Sequence, residues 1–360
     1  MRWPTIGRGL LAALAAALLV SLGGGRVPRA TAALELRPAP AAVLPQLQSI
    51  KIGDVAASSA IGIYLAQDRG YFQEQGLNAE FLRFDSGSLT VAPLSVGELD
   101  VGIGVVSAAL FNAIGRGVEV RLVAPQSRYE LGYSQLILDL RRDLADRGAI
   151  RDFADLRGRT IAILSLASTN ELVLERALQR GGLTVNDVNL VPLGAGDQIT
   201  AFANGSIDAG LLTEPQATIA ADRGVAMKWR EAAEWSPGVQ VSNILYGPNF
   251  TRRDVAAGQR FMLAYLKGVR DYYHAIIAGR GDREAIIQTL MRYTPLQDRA
   301  LYDRILFVYI DPNLAFNEDD LRATIQWHLD RGLIERPVDL GTVIDGRFVQ
   351  YALSVLGRYQ

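Results

Sequence analysis

Apolar and polar positions alternate along this chain in short runs that switch repeatedly between a period of two and a period near 3.6. Ile50-Lys51-Ile52-Gly53 reads as a strand, and Ile61, Tyr64 and Leu65 then share one helical face, with Gly70 placed as a helix-ending glycine. Ala79 to Phe84 predicts a second strand and Leu89 to Val96 a short helix closed by Gly97. Val101 to Val105 is a third strand, Ala108 to Ile114 a helix and Val118 to Ala124 a fourth strand. Then the pattern restarts. Leu136 to Leu140, Thr160 to Leu164, Val188 to Leu193 and Ile207 to Leu212 read as strands, with Glu171 to Gln179 as a helix stopped by Gly181-Gly182. Strands alternating with helices of this length predict an α/β fold of two lobes, each a mixed, mostly parallel sheet flanked by helices.

A short internal similarity supports two lobes. Gly97-Glu98-Leu99-Asp100-Val101-Gly102 matches Gly205-Ser206-Ile207-Asp208-Ala209-Gly210 in type: a glycine, a polar residue, then an apolar-Asp-small-Gly strand entry. After Val241 to Tyr246 the chain turns helical. Val255, Met262, Leu266, Val269, Tyr273 and Ile276 form one stripe, and Asn317 can cap a later helix carrying Leu321, Ile325 and Leu329. The expected division is therefore 49–136 with 244–360 as the first lobe and 137–243 as the second. The C-terminal helices would serve as packing for the first.

Leu10 to Leu22 is an almost pure apolar run behind Arg2 and Arg8, too short for the ~20 residues that span a bilayer. Followed by Arg29-Ala30-Thr31-Ala32-Ala33, it has the layout of a cleaved export signal over 1–32, the alternative being a retained anchor. Residues 33–48, with Pro38, Pro40 and Pro45, read as a flexible tether. The 37 basic and 38 acidic side chains leave a net charge of −1, which gives no footprint for nucleic acid. There is no cysteine and there are only two histidines, His274 and His328. Thiol chemistry, disulfides, a lipid-modified cysteine and multi-histidine metal sites are thereby excluded. No phosphate-binding glycine motif follows a strand, and no cofactor is implied.

In open parallel sheets ligands sit beyond the carboxyl ends of the strands. Those ends carry Ser58 and Ser59, Ser86 and Ser88, Ser107, then Ser168 and Thr169, each opening a predicted helix. Four helix starts (after Ala57, Phe84, Val106 and Leu164) would aim backbone N–H groups at one spot and favour an anionic end on a solute. Each hydroxyl is equally an ordinary helix cap. Arg128 and Tyr129 follow the fourth strand, and Glu214 before Pro215 either meets a ligand amine or braces its own lobe.

Tyr64 to Leu77 (YLAQDRGYFQEQGL), Gly97 to Gly104, Asp155 to Ile163 (DLRGRTIAI) and Gly205 to Pro215 together resemble the type II solute-binding proteins of ABC importers. The nearer resemblance is to the branch serving nitrate, taurine, alkanesulfonates and thiamine-pyrimidine precursors. It implies a two-lobe Venus-flytrap fold, a periplasmic, non-lipidated, non-enzymatic and monomeric binder, and a small-molecule ligand passed to an ABC permease. It also implies ligand contacts at Ser58, Ser59, Ser86, Ser88, Ser107, Ser168, Thr169 and Glu214, with Asn243 where the chain recrosses between lobes. A sulfonate- or carboxylate-like solute is the first expectation; a neutral pyrimidine, a sensing role and a pyrimidine-forming enzyme are the alternatives. The enzymatic relatives use a cysteine-rich segment, and this chain has no cysteine.

Overall fold

Two five-stranded sheets organise residues 46–360, the part of the chain that the computed structural model describes. The expected export signal and nearly all of the tether lie outside the described residues. The strands are β1 (Gln48–Asp54), β2 (Leu77–Arg83), β3 (Val101–Val105), β4 (Arg121–Arg128), β5 (Leu136–Arg141), β6 (Thr160–Ile163), β7 (Asn189–Pro192), β8 (Ala209–Thr213), β9 (Ala226–Glu231) and β10 (Gln240–Tyr246). The first sheet has the order β2-β1-β3-β10-β4 and the second β7-β6-β8-β5-β9. In each, three parallel strands are followed by one antiparallel strand, β10 or β5, and then by an edge strand. The mixed sheets of the sequence reading are present, with β9 as a strand that the alternation did not reveal.

The internal repeat has a mechanical meaning. Gly97 and Gly205 both take positive φ (83° and 78°), ending a helix where a side chain would be strained. Three residues on, Asp100 and Asp208 do the same job in each lobe. The Asp100 carboxylate accepts the Lys51 N–H at 2.8 Å, and that of Asp208 accepts the Thr160 N–H at 3.0 Å. Each aspartate thus fastens its strand entry to the neighbouring parallel strand.

The lobe boundary differs from the expected one. All of β10 lies in the first sheet, between β3 and β4, whereas residues 240–243 were assigned to the second lobe; Leu136 belongs to the second sheet rather than the first. The chain crosses at 129–135 and returns at 232–239. Periodicity cannot separate these segments, because both sheets bury their crossing strands on both faces.

Helices α1 (Ile61–Asp68), α2 (Val91–Val96) and α3 (Ala108–Gly115) cover the first sheet, joined there by α7 (Val255–Tyr272) and α8 (Glu318–Asp330). The second sheet is covered by α4 (Thr169–Arg180), α5 (Ala195–Asn204) and α6 (Gln216–Asp222). The apolar stripe of α7 packs on α1 and β10 through Tyr265, Val269 and Tyr246. Helix α8 departs from the expected pure packing role, since it touches the second lobe as well as the first. Arg176 of α4 reaches Asp320 at 3.1 Å, and Trp327 Nε1 donates to Glu175 at 2.7 Å.

Helices α1 and α7 approach each other closely in the first lobe. A Cβ added at Gly268 would lie 2.1 Å from the Gly62 carbonyl oxygen, far inside contact distance. We expect Gly268→Ala to lower the unfolding free energy by about 1–3 kcal/mol in urea titration, as overpacking does. Gly196→Ala, in the exposed first turn of α5 with nothing within 4 Å, should instead be neutral or stabilising by up to about 1 kcal/mol. Equal effects of the two changes would refute the packing argument.

Candidate functional site

The carboxyl ends of the parallel strands of both sheets face one gap, and the serine-rich turns sit on its walls. Ser58 opens a short 3-10 turn after β1, half-buried, with Gln135 Nε2 donating to its hydroxyl at 3.0 Å; Ser59 is buried behind it. Ser86 and Ser88 are exposed in the turn after β2, their hydroxyls 2.9 Å apart. Ser107 caps α3, its Oγ accepting the Leu110 N–H at 3.3 Å. On the opposite wall Ser168 is half-buried and donates to the Ser165 carbonyl at 2.7 Å. Thr169, the first residue of α4, donates across the gap to the Val106 carbonyl at 3.2 Å. The two walls therefore touch.

Four expected ligand contacts are already engaged or buried, although Arg128 and Tyr129 line the small space between the lobes. Glu214 is 7% exposed, and its carboxylate is taken by the ammonium of Lys228 and by the N–H and hydroxyl of Thr218 at 3.1 and 2.8 Å. It braces the second lobe rather than facing a ligand amine. Arg128 is held by Glu130 at 2.8 Å and Asp311 at 3.5 Å and lies over the Tyr309 ring, so it offers no free cation. Tyr129 is buried in the second-lobe core, and burial pushes its phenol well above the usual range. Asn243 lies in the middle of β10, paired with Gly104 and Pro125 and fully buried. The helix starts are also weaker than expected: those after Ala57 and Phe84 are 3-10 turns. Glu171 already accepts the Ala167 N–H at 2.6 Å at the head of α4.

What sequence reasoning missed is the polar floor between the lobes. Ser127 and Ser242 hydroxyls meet at 2.7 Å, and Gln240 Nε2 donates to the Ser127 and Ser242 carbonyls at 3.0 and 3.2 Å. Both amide atoms of Gln126 and of Asn243 lack hydrogen-bond partners among the described residues. The available signal was a cluster of amides and hydroxyls (Gln126-Ser127, Gln240, Ser242-Asn243) inside two strands otherwise apolar. The space left beside this floor is about 50 Å³, bounded by Ser127, Arg128, Tyr129, Tyr133, Gln135 and Thr213 among others. That is room for water and not for an organic solute. A larger pocket of about 300 Å³ opens in the first lobe beside Ser88 and Ser107.

Neither histidine is near the gap. His328 is buried in α8 against Phe111 and Trp327, its Nδ1 2.7 Å from the Thr324 carbonyl, and burial holds it below the ordinary imidazole range. His274 packs on Tyr359. Among the described residues no cluster of acidic or imidazole side chains suits a metal ion, and no helix is long and apolar enough to cross a membrane.

Residues 57–275 match the family model described as NMT1/THI5 like. A binding protein of Brucella abortus is 27% identical over 177 residues, covering 49% of this chain; the chain spans about half the length, 51%, of that relative. An aliphatic sulfonates-binding protein by name, from Bacillus subtilis, is 23% identical over 86% of this chain and 89% of its own length. The crystal structure of the periplasmic aliphatic sulphonate binding protein of Escherichia coli superposes with a TM-score of 0.65 at 20% identity, covering 83% of this chain and 92% of that one. The same fold occurs in the desulfurization enzyme DSZB, with a TM-score of 0.61 at 17% identity over 86% of this chain and 99% of that one.

One buried acid gives a pH-dependent prediction. Asp139 in β5 is fully buried with no hydrogen-bond partner for either oxygen among the described residues, and desolvation, then the Glu214 carboxylate, raise its pKa well above the ordinary value. The unfolded chain releases this proton near pH 4 while the folded chain keeps it, so stability falls as pH rises from there by up to about 1.4 kcal/mol per unit. Asp139→Asn removes that loss. The variant should melt higher than the parent at pH 7 and converge with it near pH 3.5. Parallel stability curves across that range would show that Asp139 is ionised in the fold.

Proposed function

The chain belongs to the NMT1/THI5-like family, and on that footing we propose that it is the periplasmic solute-binding subunit of an ABC importer. It takes a small organic solute with a sulfonate- or carboxylate-like head between its lobes, as a monomer and without chemical change, and hands it to the membrane permease. The observation that carries this reading is the shared gap. Two sheets of the same order turn their strand ends toward each other, joined by the crossings 129–135 and 232–239 and by side-chain contacts such as Thr169 to Val106. Two lobes on two crossings can part and close, and ligand favours closure by no more than its differential affinity for the two states. The names of the sulfonate-binding relatives support the head group.

Hydroxyls at the strand ends suit such a head. Ser88 and Ser107 stand on one wall and Ser168 on the other; α3 adds the positive end of its dipole. The fold also hosts enzymes, but fold alone does not confer an activity. Three of the four side chains that could serve as acid or base are committed elsewhere, Glu214 to Lys228, His328 to the Thr324 carbonyl in a closed core and His274 to Tyr359, which leaves the exposed Asp85 without a second group to pair with. That distribution favours capture over turnover.

Calorimetry and thermal melts with alkanesulfonates, taurine, nitrate, carboxylates and pyrimidines test the reading. A true ligand at a hundred times its Kd adds about 2.7 kcal/mol to stability and is recovered unchanged. Solution scattering should show compaction on saturation. Ser88→Ala and Ser107→Ala should each weaken an anionic ligand by about 10- to 100-fold, the range for a hydrogen bond to a charged group. A saturated protein of unchanged dimensions, or a ligand converted to product, would overturn the proposal.

A further inference from the structure

Resting on the reading of the gap as a solute site, we propose that the groove between α2 and α3 in the first lobe seats an apolar tail, so that the solute is an amphiphile. The 300 Å³ pocket begins in the gap at Ser88 and Ser107 and runs between the two helices. Val91 and Ala92 of α2 form one wall; Ala109, Leu110 and Ala113 of α3 form the other, and Gly104 lies in the floor. No charged side chain lines it. Polar groups are confined to Ser88 and Ser107 at its mouth and Ser95 farther in. Helix α3 rises ~12 Å over its eight residues, enough for a chain of several carbons.

The floor is flat and tightly packed for a reason of sequence. Gly104 contributes no side chain, and a Cβ there would meet Leu245 Cδ1 at 2.3 Å. Gly87, at the mouth, lies so close to the Ile103 carbonyl that a Cβ would stand 2.6 Å from its oxygen. These two glycines let the Leu245 side chain and the turn before α2 pack directly on β3, so that the groove lies over a close-packed floor. The lips are apolar on both sides of the gap. Leu89 and Val105 of the first lobe are 53% and 43% exposed, and Leu166 of the second is 52% exposed three residues before Thr169. Thr169 is bonded to Val106, next to Val105, so these side chains border the same edge. The polar floor between the lobes offers only about 50 Å³. The groove is thus the space that matches an organic group, and its lining selects an uncharged, apolar one.

A homologous series of linear 1-alkanesulfonates, from one to ten carbons, tests this with the whole protein by calorimetry. We expect Kd to fall about fourfold for each added methylene until the groove is full, then to level off. Ala113→Leu fills the groove and should abolish that length dependence; Ala92→Leu, on the opposite wall, should shorten the chain length at which it levels off. Melting curves without ligand establish that both variants are folded. Affinity independent of chain length in the parent, or a length dependence that survives both variants, overturns the groove while leaving the binding-protein reading in place. Binding of uncharged 1-alkanols with the same dependence, but of no sulfonate or carboxylate, keeps the groove and overturns the anionic head. If no member of either series binds, both fall.

Discussion

The carboxylate of Asp320 is the point on which the two lobes and the chain's return crossing are held together. One oxygen accepts the Gln240 N–H at 2.9 Å, where β10 begins; the other pairs with Arg176 of the second lobe at 3.1 Å. Asp320 lies in the first turn of α8, capped by Asn317, so the helix dipole favours its charge. Gln240 in turn bridges the Ser127 and Ser242 carbonyls. One buried acid therefore fixes the start of β10, the end of β4 and the seating of α4 on α8. A buried pair of this kind contributes more to geometry than to net stability, because the desolvation of both charges offsets much of their attraction.

The lobes are alike in backbone and unlike in what lies under their helices. The second lobe buries a polar group of Asp139, Glu214, Lys228 and Thr218 beside its sheet. The first buries tyrosines, phenylalanines and paired glycines, and carries the apolar groove at its edge. Such an arrangement gives one rigid, greasy wall and one wall tied down by charge. The second meets the first through α4.

Much of the fold was legible in the sequence because its signals are local. The Gly-polar-apolar-Asp repeat announced two lobes, and the structure gives Asp100 and Asp208 identical bonds. The serine turns were legible for the same reason. Glu214 was not, since its partner Lys228 stands 14 residues on, brought near only when β8 and β9 flank β5. Arg128 looked like a free cation because Asp311 and Tyr309 come from the far end of the chain. Asn243 reads from the sequence as a ligand contact at the recrossing, and Gln126 carries no local signal, their burial being a property of the assembled sheet. Local pattern shows where a turn is; it does not show which side chains the rest of the molecule has already engaged.

The strand orders have a consequence for how the molecule comes into being. The second lobe is contiguous: β5 to β9 lie between Leu136 and Glu231 and complete their sheet without outside help. The first lobe is split, and its inner strand β10 is made last of all ten, after the whole of the other sheet. As the chain emerges from its N-terminus, β3 and β4 wait side by side with a vacant slot between them, their facing edges unpaired. The later-made half is thus the one able to fold first, with few distant contacts to await, and it then serves as a clamp that presents β10 to the waiting edges. Until residue 246 has been synthesised, the earlier half is a nascent sheet with two sticky rims, the kind of species that holding chaperones recognise.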